Sequence, residues 1–126
     1  MRMYADKEYY TETYGGSLIG EKELTRLLEK ASRQIDTLTF CRIREIGFDR
    51  LTAFQQDQIQ YVTCMLADFI YENQDELESM LLSSYGINGV SMTFSSGVNV
   101  TKVQGVVIRT DIYAELDKTG LCCRMI

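Results

Sequence analysis

Between Glu21 and Leu38 the apolar side chains Leu24, Leu27, Leu28, Ala31, Ile35 and Leu38 recur every three or four positions. That spacing predicts an amphipathic helix over Glu21–Leu38 with one face turned to a core. Its other face is charged, and Glu23 with Arg26 and Glu29 with Arg33 stand where they can pair on a solvated surface. Gly20 offers no capping side chain, so the start of this helix is weakly defined. A short helical turn is expected around Phe40–Ile43, before Gly47-Phe48-Asp49 breaks the pattern. Thr52 followed by Gln55 is a capping box, and a second long helix begins there. Ile59, Val62, Leu66, Phe69 and Ile70 give it an apolar face. Asn73 takes the next position on that face, where an unpaired amide is costly, so a break is expected near Asn73 and Gln74. Asp75–Leu82 then reads as a shorter helical piece with Leu77, Met80 and Leu81 facing inward.

From Tyr85 the period changes to two. Val90, Met92 and Phe94 alternate with polar residues, Ser95-Ser96-Gly97 intervenes, and Val98 and Val100 alternate again, the pattern of a β-hairpin. Asn88-Gly89 is a second turn signal, so the register stays open. A last helix is expected from Thr110 or Asp111 to Gly120, with Leu116 and Leu121 meeting in a Schellman motif. The fold class is therefore mainly α: a bundle of about three to five helices in one domain, 1–126, with a hairpin or extended loop at 85–108 inserted before the last helix. Two strands alone are marginal in water, so the hairpin either folds onto its own bundle or adds to a neighbouring subunit. Its apolar and aromatic positions Tyr85, Ile87, Val90, Met92, Phe94, Val98 and Val100 are the candidate subunit contacts.

Composition supports one folded unit: 126 residues, 45% hydrophobic and 25% charged. The first ten residues contain no apolar stretch of signal-peptide type, and no run approaches the roughly 20 apolar residues that cross a bilayer. No membrane partner is expected. The formal charge of -5 disfavours a dedicated nucleic-acid binder, and the candidate basic residues Arg42, Arg44 and Arg50 lie beside Glu45 and Asp49. Cys41, Cys64, Cys122 and Cys123 form no CxxC pair, and the chain has no histidine, so neither a structural zinc site nor a histidine-based catalytic triad is expected. Reduced, bystander thiols fit the pattern. The cluster Asp75, Glu76 and Glu78 leaves a carboxylate enzyme as a remote alternative, and acidic residues near a helix start are more often surface groups. No glycine-rich phosphate loop is present. The N-terminal tyrosines Tyr4, Tyr9, Tyr10 and Tyr14 are interleaved with Asp6, Glu8 and Glu12, which favours packing of an N-terminal arm or a protein contact over base stacking. No catalytic residue, metal ligand or cofactor is assigned.

The order YADKEYYTETYGG, IDTLTFCRI, GFDRLTAFQQDQI, ADFIYENQDELES, SSYGINGVSMTF and IYAELDKTGLCCR resembles the phage head-to-tail connector family, also described as head-completion or DNA-packaging adaptors. The resemblance runs along nearly the whole chain, most tellingly at Ser84–Met92 and at Thr119-Gly120-Leu121. It implies a non-enzymatic helical protein of the virion, assembled in the bacterial host cytoplasm into a ring, dodecameric in the particle. The implied partners are copies of itself, the portal protein, a tail or head-closure protein, and DNA only as passing cargo. By the same analogy Leu121, Arg124, Met125 and Ile126 are candidate portal contacts. A helical packaging or regulatory factor touching nucleic acid is the runner-up.

Overall fold

The computed structural model describes residues 3–74, 91–93, 99–103 and 106–122. Helix α1 spans Glu21–Leu38, and all six residues of its apolar stripe are buried. Gly20 is its N-cap: the carbonyl accepts from the Glu23 and Leu24 N–H groups at 3.0 Å, and no side chain caps the end. The C-terminus closes in a Schellman pattern that the sequence did not suggest, because its left-handed residue is not glycine. The Cys41 N–H donates to the Asp36 carbonyl at 2.7 Å and the Phe40 N–H to that of Thr37 at 3.3 Å. Phe40 and Cys41 both have positive φ, 56° and 59°, a conformation that costs an L-residue about 1–2 kcal/mol. The Arg42 guanidinium lies 4.9 Å from the Phe40 ring centre and returns part of that cost.

This left-handed pair displaces the next helix, α2, to Arg42–Ile46, two residues later than the sequence suggests. Gly47, at φ 96°, and a 3-10 turn at Phe48–Arg50 lead into α3, Ala53–Glu72. The capping box is complete: the Gln55 N–H donates to Thr52 Oγ1 at 3.1 Å and the Thr52 N–H to Gln55 Oε1 at 3.0 Å. At the far end Asn73 is buried, and its amide donates to the Phe69 carbonyl at 3.0 Å, which satisfies the polar group where the helix stops. The helical piece expected at Asp75–Leu82 lies outside the described residues.

Strands β1 (Ser91–Thr93) and β2 (Asn99–Val103) pair antiparallel with Met92 opposite Val100, as the hairpin reading required. A third strand, β3 (Val106–Arg109), pairs with β2 in the register Thr101 to Ile108 and makes a sheet of order β1-β2-β3. Val106–Ile108 is an unbroken apolar run with no period to mark it as a strand, because strands buried on both faces carry no alternation. Val100, Val106, Val107 and Ile108 all join the central core. The sheet thus folds onto its own bundle: β3 packs against α1, α3 and the last helix, α4, at Thr110–Asp117.

Gly120 takes the expected left-handed φ of 76°, and Leu116 and Leu121 are both buried. Only half of the Schellman pair forms: the Gly120 N–H donates to the Asp117 carbonyl at 3.0 Å, but the Leu121 N–H donates to Thr119 Oγ1 at 3.2 Å while the Leu116 carbonyl accepts from the Thr119 N–H at 3.1 Å. The threonine hydroxyl competes with the carbonyl for that donor. Two side chains of α3 tie this end down: Gln55 Nε2 donates to the Thr119 carbonyl at 3.0 Å, and Gln58 Nε2 to that of Glu115 at 2.9 Å.

Two exchanges test these local forces in urea unfolding. Cys41→Gly, at an exposed left-handed position, raises the unfolding free energy by about 1 kcal/mol. Thr52→Ala lowers it by about 1 kcal/mol through loss of the cap. Both move the midpoint and leave the slope unchanged.

Candidate functional site

The polar groups that the fold holds most firmly belong to the N-terminal arm. Residues Tyr9–Thr13 form a single π-helical turn closed by the Tyr14 N–H on the Tyr9 carbonyl at 2.8 Å. Two aspartates, one on each long helix, anchor this arm. Asp36 of α1 accepts from the Tyr4 hydroxyl with one oxygen and from Arg44 Nε, at 2.5 Å, with the other. The Tyr4 backbone N–H donates to Ser32 Oγ at 3.1 Å, the Tyr4 ring stacks on Phe48 with centroids 5.6 Å apart, and the Arg44 guanidinium lies 5.6 Å from the Tyr4 ring centre. Asp68 of α3 accepts from the Tyr10 hydroxyl at 2.6 Å and from the Tyr14 hydroxyl at 3.1 Å. Tyr10 is fully buried, and its hydroxyl oxygen also accepts from the Ile19 N–H at 3.3 Å. Gly16 passes so close to this ring that a Cβ there would sit 2.4 Å from Tyr10 Cζ.

Burial and these carboxylates favour the neutral phenols. Tyr10 is pushed up to about 12, mainly by burial and then by its bond to Asp68. Burial, with the same kind of carboxylate neighbour, also raises Tyr4 and Tyr14. All four N-terminal tyrosines dock the arm onto the body: Tyr4 and Tyr10 are buried, and Tyr9 and Tyr14 are half-buried against the core, Tyr14 also bonded to Asp68. The sequence reading missed Asp36 and Asp68. The signal was there: each is an acidic residue set within an apolar stretch, Asp36 after Ile35 and Asp68 between Ala67 and Phe69, where an unpartnered carboxylate would not be tolerated.

Two open clefts flank the arm. One, of about 590 Å³, is lined by Glu29, Arg33, Asp36 and Arg44, so its opposite charges largely offset one another. Glu29 and Arg33, expected to pair on α1, line this cleft and are not an ion pair among the described residues, whereas Arg26 and Glu23 approach to 3.8 Å. The other cleft, of about 530 Å³, combines Met3, Tyr4 and Tyr9 with the carboxylates Asp6, Glu8 and Glu12. Neither has the apolar enclosure and convergent polar groups of a small-molecule site. Large apolar side chains instead stand out at the surface: Phe54 is 56% exposed, Tyr61 42%, Leu18 44% and Ile46 42%. Such groups suit contact with another protein.

Of the hairpin contact candidates, Val100 is fully buried in the chain's own core, so its side chain is already engaged within the monomer. Met92 lies in β1, where the backbone alone is described. Tyr85, Ile87, Val90, Phe94 and Val98 lie outside the described residues. Among the portal candidates Leu121 is buried, and its carbonyl accepts from Arg42 Nη1 at 2.8 Å. Arg124, Met125 and Ile126 lie outside, as do Asp75, Glu76 and Glu78 of the remote carboxylate reading. Cys41, Cys64 and Cys122 are free thiols; burial pushes both Cys64 and Cys122 up to about 12, which keeps them protonated and unreactive. Among the described residues no group of three or more cysteines and acids could hold a metal ion, and no helix is long and apolar enough to cross a membrane. No family model matches the chain, and neither curated proteins nor solved structures give a match.

The anchors carry two predictions. Asp36→Ala leaves the buried Tyr4 hydroxyl without its acceptor and lowers stability by about 2 kcal/mol in urea unfolding. In an alkaline titration followed by tyrosinate absorbance, Tyr10 ionises late. Because its folded value is raised above the unfolded value of 10.0, its contribution to stability is complete below pH 10 and is lost as pH climbs through about 12. Tyr10→Phe removes one tyrosine's share of that late phase, to which the raised Tyr4 and Tyr14 also contribute.

Proposed function

We propose that this protein is a structural assembly subunit of the phage head-to-tail connector kind. Copies of the chain form a ring that docks beneath the portal, receives a tail or head-closure protein on its other side, and continues the channel through which DNA passes. The resemblance of the ordered motifs to that family is the observation that carries the reading. Three physical features support it.

The first is the use to which the chain puts its polar groups. Asp36, Asp68 and the tyrosines fasten the chain's own arm, and the thiols Cys64 and Cys122 are buried, so the groups best suited to chemistry have structural partners. The second is the set of large apolar side chains left at the surface, which a subunit of a larger body would cover. The third is the net charge of -5, which gives a DNA channel walls that do not hold phosphates. In this reading the excursion at 85–108 is rooted in the core by β2 and β3, and Tyr85, Ile87, Val90, Met92, Phe94 and Val98 are the proposed contacts to a neighbour. The terminal Arg124, Met125 and Ile126 are the proposed contacts to the portal.

Negative-stain microscopy of the purified protein, alone and mixed with portal rings, tests the proposal. The expected result is a ring with a central channel, in at least the portal-containing sample. Particles that stay monomeric in both samples would overturn it, and so would assembled rings that held duplex DNA tightly at moderate salt.

A further inference from the structure

The exposed basic side chains of α1 gather in one sector, while its exposed acids Glu21 and Glu23 lie outside it. On α1 the residues Lys22, Arg26, Lys30 and Arg33 recur at intervals of four, four and three, all are exposed, and at 100° per residue they fall within one narrow sector opposite the buried leucines. Only Arg26 has an ion-pair partner, Glu23 at 3.8 Å, among the described residues. Glu29 borders the stripe and shares a cleft with Arg33, whose charge it partly offsets, while Lys22 and Lys30 have no ion-pair partner among the described residues. The stripe is roughly 16 Å long at 1.5 Å rise per residue.

On α3 the outward positions Phe54, Asp57 and Tyr61 also form one sector, and the two aromatic rings are 56% and 42% exposed. The N-terminal arm lies beside this stripe: the Tyr14 ring meets that of Tyr61 edge-on with centroids 5.5 Å apart, and Asp57 lies close enough to Tyr9 to help raise it. The arm's exposed carboxylates Glu8 and Glu12 line a cleft with Tyr9 and with Gln60 of α3. One surface therefore carries cations on long flexible stems, and the other carries carboxylates and open aromatic faces. Guanidinium and ammonium groups are attracted by both. The two stripes sit on different helices, and among the described residues no ion pair joins them within one molecule.

We propose that the basic stripe of α1 in one copy of this chain docks on the acidic, aromatic face of α3 and the arm in the next. This contact rests on the ring reading above and specifies it. Joining two different surfaces, it is heterologous, the kind of contact that closes into a ring when its rotation allows. It also explains how a chain of charge -5 can associate with itself: the charge is divided, so that each junction sets opposite signs face to face.

Charge reversal on each side tests the contact, with sedimentation of the full chain alone and with portal rings as the readout. Arg26→Glu with Arg33→Glu weakens association about tenfold or more, and Glu12→Lys with Asp57→Lys does the same, because like charges then face each other. Combining all four exchanges, which restores opposite signs across the junction, recovers assembly, and so does mixing the two single-sided variants. Unchanged helical circular dichroism confirms that each variant is folded. Rings that survive both single-sided reversals would overturn this contact and leave the ring reading standing. Failure of the combined variant to recover would overturn the pairing of these two faces. A wild-type protein that never assembles would remove the ring reading and this contact together. Duplex DNA binding that Arg26→Glu with Arg33→Glu abolishes, with assembly intact, would assign the stripe to nucleic acid instead.

Discussion

The constraint on which the structure depends is the apolarity of α3. Its sequence buries side chains on all but one narrow sector: Ile59, Val62, Thr63, Cys64, Leu66, Ala67, Phe69 and Ile70 are all inaccessible to solvent. A helix that is apolar over most of its circumference is stable in water only when several elements cover it. The rest of the chain supplies them. Helix α1, strongly amphipathic, covers one side with its leucine stripe, and α4 with strand β3 covers another. The arm then closes over the boundary of α1 and α3, tied to one aspartate on each. Without α3 the sheet loses part of its floor, since strands of only three to five residues depend on a covered hydrophobic face for stability.

The arm shows how polar groups are fitted into such a core. A tyrosine buries a large ring but brings a hydroxyl that must find an acceptor. Asp36 and Asp68 provide acceptors, and Arg44 and a second tyrosine occupy the remaining carboxylate oxygens. Each aspartate is thus near-fully bonded and holds the arm in one place, whereas apolar contact alone would let it slide. Gly16 serves the same end, because only a residue without Cβ lets the backbone pass over the Tyr10 ring.

Much of this was legible in the sequence, and the parts that were not share a cause. The stripe of α1 appears with its observed boundaries, the Thr52–Gln55 box sits where α3 begins, and Gly120 adopts the left-handed φ expected of it. These features are local, set by residues three or four apart. Strand β3 was missed because its buried run Val106–Ile108 has no period, and its identity depends on pairing with β2. The left-handed Phe40 was missed because nothing in the sequence distinguishes a phenylalanine held there by the α1 end and by Arg42 from one in an ordinary turn. Asp36 and Asp68 needed knowledge of which tyrosine returns to which helix, at separations of 32 and 58 residues for Tyr4 and Tyr10. The surface presents the same division: the α1 charges read as an ordinary solvated face in one dimension, and their sorting against the acidic side of α3 becomes visible only when both helices are set in one body.

Val100 changes how the excursion has to be understood. Read as a hairpin in search of a neighbour, it places its apolar residues on offer to a partner. Its β2 strand instead puts Val100 into the monomer core, and Thr101 beside it is buried as well. The described strands β2 and β3 of the excursion therefore belong to the fold. Under the proposed assembly role, a contact element fixed to the core in this way would transmit the position of a neighbour into the body without having to fold on arrival. It also means that a deletion reaching Val100 damages the core together with any contact. Point substitutions beyond the core-bound strands, and charge reversals on the exposed faces of α1 and α3, are the changes that separate assembly from folding.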